Sequence, residues 1–288
     1  MNNLLVANNL DVLVNMSDES VDLICTDPPF NTGRIQNRAL LSWRQPSGVT
    51  YQDDFLETGD YTNDKSKWFD AVEAFHKKYE DDEFYFLHHF CSPKELFYFM
   101  QMIPTVRELY RVLKWGGGFY WHIDYRTTHV WRIILNKIFK DKGAFNSEII
   151  WHYPNKIPMP CTKRRFTVNH NTILFYTKYV QHNDEALHNL KLECEKGTLM
   201  RQRTVWTIEF VKSKERVDYP TQKPLALYAR MIRSSSAEND LVLDPFCGSG
   251  TTIIAADMLN RRYIGIDEKP EAIELCKERL NLQQIKMF

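Results

Sequence analysis

Two short stretches concentrate the residue types that could do chemistry. One is Thr26-Asp27-Pro28-Pro29-Phe30, directly after the apolar run Val21-Asp22-Leu23-Ile24-Cys25. The other is Asp244-Pro245-Phe246-Cys247-Gly248-Ser249-Gly250-Thr251-Thr252, with Asp267 about 20 residues further on. In the first, two prolines remove two backbone donors and fix two φ angles. Asp27, preceding a proline, is pushed toward an extended conformation. The result is a stiff segment with an acid and an aromatic held in set directions. That fits a plain strand-ending turn, and equally a pre-shaped pocket edge.

The second stretch narrows the choice. A short apolar strand, Leu241-Val242-Leu243, runs into the Asp-Pro-Phe turn, and a helix begins at Thr251-Thr252. Glycines at such a turn let a ligand approach the backbone, and the helix start offers free N–H groups. A second strand, Tyr263 to Ile266, ends in Asp267, where an acid holds ribose hydroxyls in doubly wound nucleotide-binding folds. The pattern is neither G-x-G-x-x-G nor a P-loop, because no lysine follows the glycines. Asp244 would repel a phosphate and suit an ammonium or sulfonium. An adenosine bearing both cations, as in S-adenosylmethionine, matches those demands.

The elements that must position these residues alternate along the chain. Apolar strand-like runs are expected at Asn3 to Ala7, Val21 to Thr26, Gly118 to Ile123, Ser147 to Tyr153, Thr172 to Tyr176, Leu241 to Leu243 and Tyr263 to Ile266. Helical stretches are expected at about Pro93 to Leu113, Thr127 to Phe139, Lys223 to Ser235, Thr251 to Leu259 and Lys269 to Leu280. This is the pattern of an α/β protein with a mostly parallel sheet covered on both faces. Gly116-Gly117-Gly118 reads as a helix breaker that turns the chain into the next strand, with no ligand role. Two stretches fit the alternation poorly: 34–85, an acidic and aromatic insertion, and 178–218, basic and weakly periodic. Segments of this length inside a compact domain are often functional.

Bulk properties set the class. A chain of 288 residues with 43% hydrophobic and 26% charged content is that of a soluble globular protein with one large domain. No apolar run approaches the roughly 18 residues of a membrane span, and the N-terminus lacks a signal-peptide pattern. The six cysteines form no C-x-x-C pair, so no metal site is expected and reduced thiols in a cytoplasmic protein are. A formal net charge of zero hides an asymmetry. Residues 51–85 carry eleven acids and four bases, whereas 151–220 carry twelve bases and seven acids. A basic face set against an acidic one is one reading, and ordinary solvated surface is the other.

The two motifs together resemble the DNA amino-methyltransferases in the permuted order called the β class. "SVDLICTDPPFNTG" resembles its catalytic segment, particularly in adenine-modifying subunits of type III restriction systems and related solitary enzymes. "ELYRVLKWGGGFYWHID", "EIIWHYPNK", "NHNTILFYTK", "YPTQKPLALYARMIRSSS" and "RRYIGIDEKPEAI" resemble its following elements, so about two thirds of the chain is covered. The resemblance implies a single Rossmann-like domain over 1–288 with a seven-stranded sheet. The cofactor half comes last, and its third strand is displaced to Leu4-Leu5-Val6.

It also implies roles. Asp27 and the Pro28 carbonyl would accept hydrogen bonds from an exocyclic amine, Pro29 would hold the turn, and Phe30 would stack on a base taken out of the helix. S-adenosylmethionine would meet Asn8, Thr26, Asp27, Lys223, Asp244, Phe246, Cys247, Gly248, Ser249, Gly250, Thr251, Thr252 and Asp267. Asp rather than Ser at the first motif position favours adenine N6 over cytosine N4, and Phe30 replaces the more common Tyr. Asn8 stands where relatives often have Asp. Lys223, in "TQKP", is placed near the cofactor carboxylate.

For double-stranded DNA, candidate phosphate contacts are Lys163, Arg164, Arg165, Arg201, Arg203, Lys212, Lys214 and Arg216. The target-recognition segment would be 178–218, which implies either a short site or help from the 34–85 insertion, where Trp43, Arg44, Tyr51 and Trp68 are candidates for DNA contact and core packing is the other reading of the aromatics. A homodimer and a separate restriction subunit or nuclease are further expectations of the class. The alternatives are a cytosine-N4 enzyme, an enzyme for RNA or a protein side-chain amide, and an inactive module that binds DNA and cofactor.

Overall fold

The computed structural model describes residues 2–29, 77, 82–140, 144–155, 166, 168–178, 191–193, 199–201, 203–212, 215–217, 219 and 221–286. Phe30, Lys163, Arg164, Arg165, Lys214 and most of the 34–85 and 178–218 segments lie outside them, as do Cys161 and Cys194. Two compact units are present, one of residues 1–30 with 107–288 and one of residues 31–106. The second holds, among its described residues, a 3₁₀ turn at Tyr85–His89 and most of the helix Pro93–Val112.

The first unit is built on β1 (Asn3–Val6), α1 (Asn9–Leu13), β2 (Val21–Thr26), α2 (Pro93–Val112, whose last turns belong here), β3 (Leu113–Ile123), α3 (Thr128–Phe139), β4 (Phe145–His152) and β5 (His170–Thr177). It continues through the short strands β6 (Lys191–Glu193), β7 (Leu199–Arg201) and β8 (Val205–Thr207). It ends with α4 (Leu225–Ser235), β9 (Leu241–Asp244), α5 (Thr251–Met258), β10 (Arg262–Asp267) and α6 (Pro270–Lys286). The sheet order is β1-β10-β9-β2-β3-β5-β4-β8, and only β5 runs against the rest.

The sheet therefore has eight strands, where seven are expected from the sequence. The extra edge strand, Val205–Thr207, pairs in parallel with Ile150–His152. It lies inside the stretch read as weakly periodic, because three residues are too few to show a period of two. β1 pairs with β10 in the register Leu4↔Gly265 and Leu5↔Ile266, so the N-terminal strand does complete the C-terminal half of the sheet.

The glycine triplet also behaves differently from expectation. The strand starts already at Leu113 and passes through the glycines, with Gly116 at φ +80°. A Cβ on Gly117 would lie 2.9 Å from the Asp22 carbonyl and 2.7 Å from the Leu113 side chain, so only glycine lets these backbones approach.

The buried faces explain the strand order. β2 is buried along all six residues and sits between β3 and β9, as its mostly apolar sequence requires. Leu23 and Cys25 from β2, Tyr120 from β3, Trp151 from β4, Phe175 from β5 and Val242 from β9 share one core with Tyr228, Met231 and Ile232 of α4 and Ile253 to Ala256 of α5. Tyr120 and Phe175 stack at 4.2 Å between centroids. This packing fixes the carboxyl ends of β2 and β9 side by side, with Ile24 opposite Leu243. The crevice outside adjacent strand ends is where doubly wound sheets bind ligands.

Candidate active site

Asp244 ends β9 and is the most completely satisfied acid of the site. Its Oδ1 accepts hydrogen bonds from the Thr26 hydroxyl at 2.8 Å and the Phe246 amide at 3.1 Å. Its Oδ2 accepts from the Thr252 hydroxyl at 2.5 Å. Asp244 thus ties β2, the Pro245-Phe246 turn and the first turn of α5 together. Burial pushes its carboxyl up to about 6, against the pull of those three donors. Thr26 and Thr252 are buried and serve this acid; neither faces an open ligand space.

The loop after Asp244 is shaped by two left-handed glycines. Gly248 has φ +48° and Gly250 φ +78°, values that favour residues without a Cβ. A Cβ at Gly250 would collide with the Cys276 side chain of α6, and one at Gly248 would come within 3.2 Å of the Tyr219 ring. Cys247 donates its amide to the Ile266 carbonyl at 2.9 Å, and Gly248 donates to Asp267 Oδ2 at 3.0 Å. Asp267 Oδ1 accepts from the Lys269 amide at 2.9 Å. Each Asp267 oxygen keeps a further lone pair for a hydroxyl donor. Thr251 donates to the Lys223 carbonyl at 3.2 Å, and Arg279 holds the Ser249 carbonyl. Ser249, Thr251 and Cys247 are buried in this scaffold.

Asn8 has a different part. Its Oδ1 caps α1 by accepting from the Leu10 amide at 2.9 Å, and its Nδ2 donates to Glu268 at 2.6 Å. The amide orients the residue that follows Asp267.

Asp27 leaves β2 directly beside Asp244. Lys223, from the turn that leads into α4, forms an ion pair with Asp27 Oδ2. Asp27 Oδ1 is buried and has no hydrogen-bond partner among the described residues. Burial pushes the Asp27 carboxyl above the usual carboxylate range, and the neighbouring Lys223 opposes that rise. The sequence placed Lys223 toward a cofactor carboxylate; the structure brings it onto Asp27.

Three residues the sequence reading left without a role line the same place. His122, on β3, has Nδ1 3.8 Å from Asp27 Oδ1. Tyr228, on α4, has its hydroxyl 3.3 Å from that nitrogen. Tyr219, just before "TQKP", lies over Gly248, and burial and the acids Asp267 and Asp27 push its phenol up. The only sequence signal for His122 is a histidine at the tip of an otherwise apolar strand.

Of the candidate DNA contacts, Arg203, Lys212 and Arg216 are exposed, and Lys212 pairs with Glu209. Arg201 lies on β7. Cys25, Cys91, Cys247 and Cys276 are free thiols. Among the described residues no group of three or more His, Cys, Asp or Glu side chains could hold a metal, and no helix is long and apolar enough to cross a membrane.

A family profile described as DNA methylase, of the N6/N4 type, matches residues 21–278. The chain belongs to that family. It is an S-adenosylmethionine-dependent DNA amino-methyltransferase. The type II methyltransferase M.HpaI of Haemophilus parainfluenzae is 31% identical over 96% of this chain and 74% of its own length. M.HinfI of Haemophilus influenzae is 28% identical over 97% of this chain and 68% of its own.

Solved structures share the fold. M1.HpyAVI in complex with S-adenosylmethionine gives a TM-score of 0.57 at 21% identity, covering 98% of this chain and 100% of that one. PvuII, a cytosine-N4-specific DNA methyltransferase, gives 0.60 at 18% identity, covering 96% and 86%. The doubly wound, mostly parallel architecture is that of these enzymes.

Proposed function

We propose that this methyltransferase acts on the N6 amine of adenine at a specific DNA sequence, on a base taken out of the double helix. The observation that carries the reading is the buried Asp27 Oδ1 without a hydrogen-bond partner, at the mouth of a rigid Asp-Pro-Pro turn. A buried acceptor left open is costly in a folded protein and is best explained by a donor that arrives with the substrate. An exocyclic amine is such a donor. Asp at this motif position, in place of Ser, resembles the adenine enzymes more than the cytosine-N4 enzymes.

The residues at the other strand end fit the methyl donor. Asp267 flanks the Gly248–Gly250 loop, which Asp244 anchors from behind, and α5 begins at Thr251 after the N-cap Gly250, which gives its amides no side-chain cap. No lysine stands in the loop to claim a phosphate. Asp267 would hold the ribose, and Phe246, Gly248 and Gly250 would pass the amino-acid end. When bound, S-adenosylmethionine supplies a methyl group whose C–S bond breaks, its electron pair staying on sulfur, as the N–C bond forms.

The chain's own contribution is positional. Asp27 accepts an N–H of the amine, drawing the nitrogen toward sp³ geometry so that its lone pair faces the methyl group. The carboxylate must be ionised to do so, and Lys223 supplies the counter-charge that keeps it so inside a buried site. Phe30 would stack on the extruded base, a contact worth roughly 1–3 kcal/mol. The nitrogen then releases one proton to Asp27 or to water. A homodimer, a cognate restriction enzyme and phosphate contacts from the 178–218 segment belong to the same reading.

The test is transfer from labelled S-adenosylmethionine to unmethylated DNA, followed by nucleoside mass spectrometry, with Asp27→Ala in parallel. N6-methyladenine that disappears in the variant is the expected result. N4-methylcytosine would keep the mechanism and overturn the base. Product formed unchanged by Asp27→Ala would remove Asp27 from the chemistry.

A further inference from the structure

His122 is buried in the core, yet it stands in a chain of polar contacts that leads to the catalytic carboxylate. The Tyr153 hydroxyl lies 3.2 Å from the His170 carbonyl and 3.5 Å from Asn171 Oδ1. With its oxygen toward Tyr153, Asn171 turns its Nδ2 toward His122 Nε2, 3.1 Å away. An amide nitrogen can only donate, so His122 Nε2 must be the acceptor. In a neutral imidazole the remaining proton then sits on Nδ1. That nitrogen is the one that faces Asp27 Oδ1 at 3.8 Å and the Tyr228 hydroxyl at 3.3 Å. Trp151 packs edge-on against the ring at 5.5 Å and restrains its rotation.

We propose that His122 is a positioning residue for Asp27, held by Asn171 as the neutral Nδ1–H tautomer with its N–H end turned toward the catalytic carboxylate. The inference rests on the reading of Asp27 as the amine acceptor. Its chemistry is that of a dipole. A neutral N–H aimed at Oδ1 favours the ionised carboxylate and fixes the direction of the oxygen that the amine must meet. It adds no second cation beside Lys223. Burial, with the Lys223 ammonium nearby, holds the imidazole well below its ordinary value, in agreement with a ring that stays neutral.

Among the described residues, the titratable groups near Asp27 come from several elements. Lys223 and Tyr228 come from α4 and its leading turn, His122 from β3, Asp244 from β9 and Tyr219 from the segment before α4. Of these, Lys223 favours the charged form, and burial and the neighbouring Asp244 oppose it.

Two substitutions separate the ring's two nitrogens. In His122→Asn the side-chain amide falls where Nδ1 stood, whereas in His122→Gln it falls where Nε2 stood. Single-turnover methylation is then followed between pH 5 and 8 with the three proteins, together with equilibrium binding of S-adenosylmethionine. His122→Gln should move the acid limb of kcat/KM upward by less than about one unit, because at 3.8 Å the N–H acts on Oδ1 as a dipole and not as a hydrogen bond. It should lower kcat about 10-fold while cofactor affinity holds. His122→Asn should restore most of both. Equal behaviour of the two variants, with Asp27→Ala still inactive, would overturn the role of His122 and leave that of Asp27 standing. Full activity of Asp27→Ala would instead remove the reading on which it rests. Should either variant fail to fold, nitrogen NMR of the ¹⁵N-histidine-labelled wild type decides alone: a neutral Nδ1–H ring at pH 7 supports the proposal, and an Nε2–H or doubly protonated ring refutes it.

Discussion

Asp244 and Asp27 stand at the tips of adjacent strands, and they are treated in opposite ways. Asp244 receives three hydrogen bonds from Thr26, Phe246 and Thr252 and is closed off. Asp27 has one oxygen on Lys223 and the other buried without a donor. One acid finishes a scaffold; the other is left unfinished toward the substrate. The pair teaches how to separate a structural carboxylate from a catalytic one where sequence shows the same Asp-Pro dipeptide twice. The count of donors distinguishes them, and residue type does not.

The comparison breaks most visibly in activity. Asp27→Ala should lower the methylation rate by about 10²–10⁴-fold, the range of a positioned proton acceptor. Binding of S-adenosylmethionine should change little, and the unfolding midpoint should fall only by what the buried Lys223 loses with its ion-pair partner, because among the described residues no other hydrogen-bond donor is held by Asp27. Isothermal binding and urea unfolding on the same preparation check both halves. A collapse of the fold would place Asp27 with Asp244.

Asp244→Ala should give the reverse. Two hydroxyls and one amide would lose a buried acceptor, at a cost of roughly 3 kcal/mol in unfolding free energy. The Gly248–Gly250 turn would loosen, so cofactor affinity should fall as well. Retained stability would show that the Thr26 and Thr252 hydroxyls find other acceptors.

Much of this site was readable before the structure. Asp27, Asp244 and Asp267 stand out because prolines and glycines punctuate short apolar runs, and strand ends follow from that punctuation. The order of elements was legible for the same reason, from Val21–Thr26 to Pro270–Lys286. What stayed hidden depends on pairings across long sequence distances. Lys223 meets Asp27 across 196 residues, and His122 meets Tyr228 across 106. No local pattern encodes such a contact, and His122 sits in an apolar strand where a buried histidine is unremarkable. The edge strand Val205–Thr207 was missed because its residues are too few to alternate.

Acid pH sharpens the contrast further. Burial raises the Asp244 carboxyl to about 6 from an ordinary 3.8, so the folded protein binds this proton more tightly than the unfolded chain does. The group therefore favours folding fully below about pH 4, and that contribution is lost as pH rises through about 6. Two units correspond to about 3 kcal/mol at most. Urea unfolding at pH 4, 5, 6 and 7 should show stability falling more steeply in the wild type than in Asp244→Asn, which cannot titrate. Asp27 and Asp267 are raised in the same direction and persist in the variant, so the difference between the two slopes isolates Asp244. Parallel slopes would mean that the three hydrogen bonds outweigh burial.

The smallest effect concerns the loop itself. Gly250 combines φ +78° with a Cβ position already filled by Cys276 of α6. Gly250→Ala should cost about 2 kcal/mol, part from the left-handed backbone and part from crowding. Cys276→Ala by itself opens a small space in the core and is also destabilising. The double variant should nevertheless be more stable than the sum of the two, because the new methyl enters the room the thiol leaves. Only the backbone share would remain. A strictly additive double variant would show that the loop moves away from α6 when Gly250 is changed, and that Cys276 does not set its position.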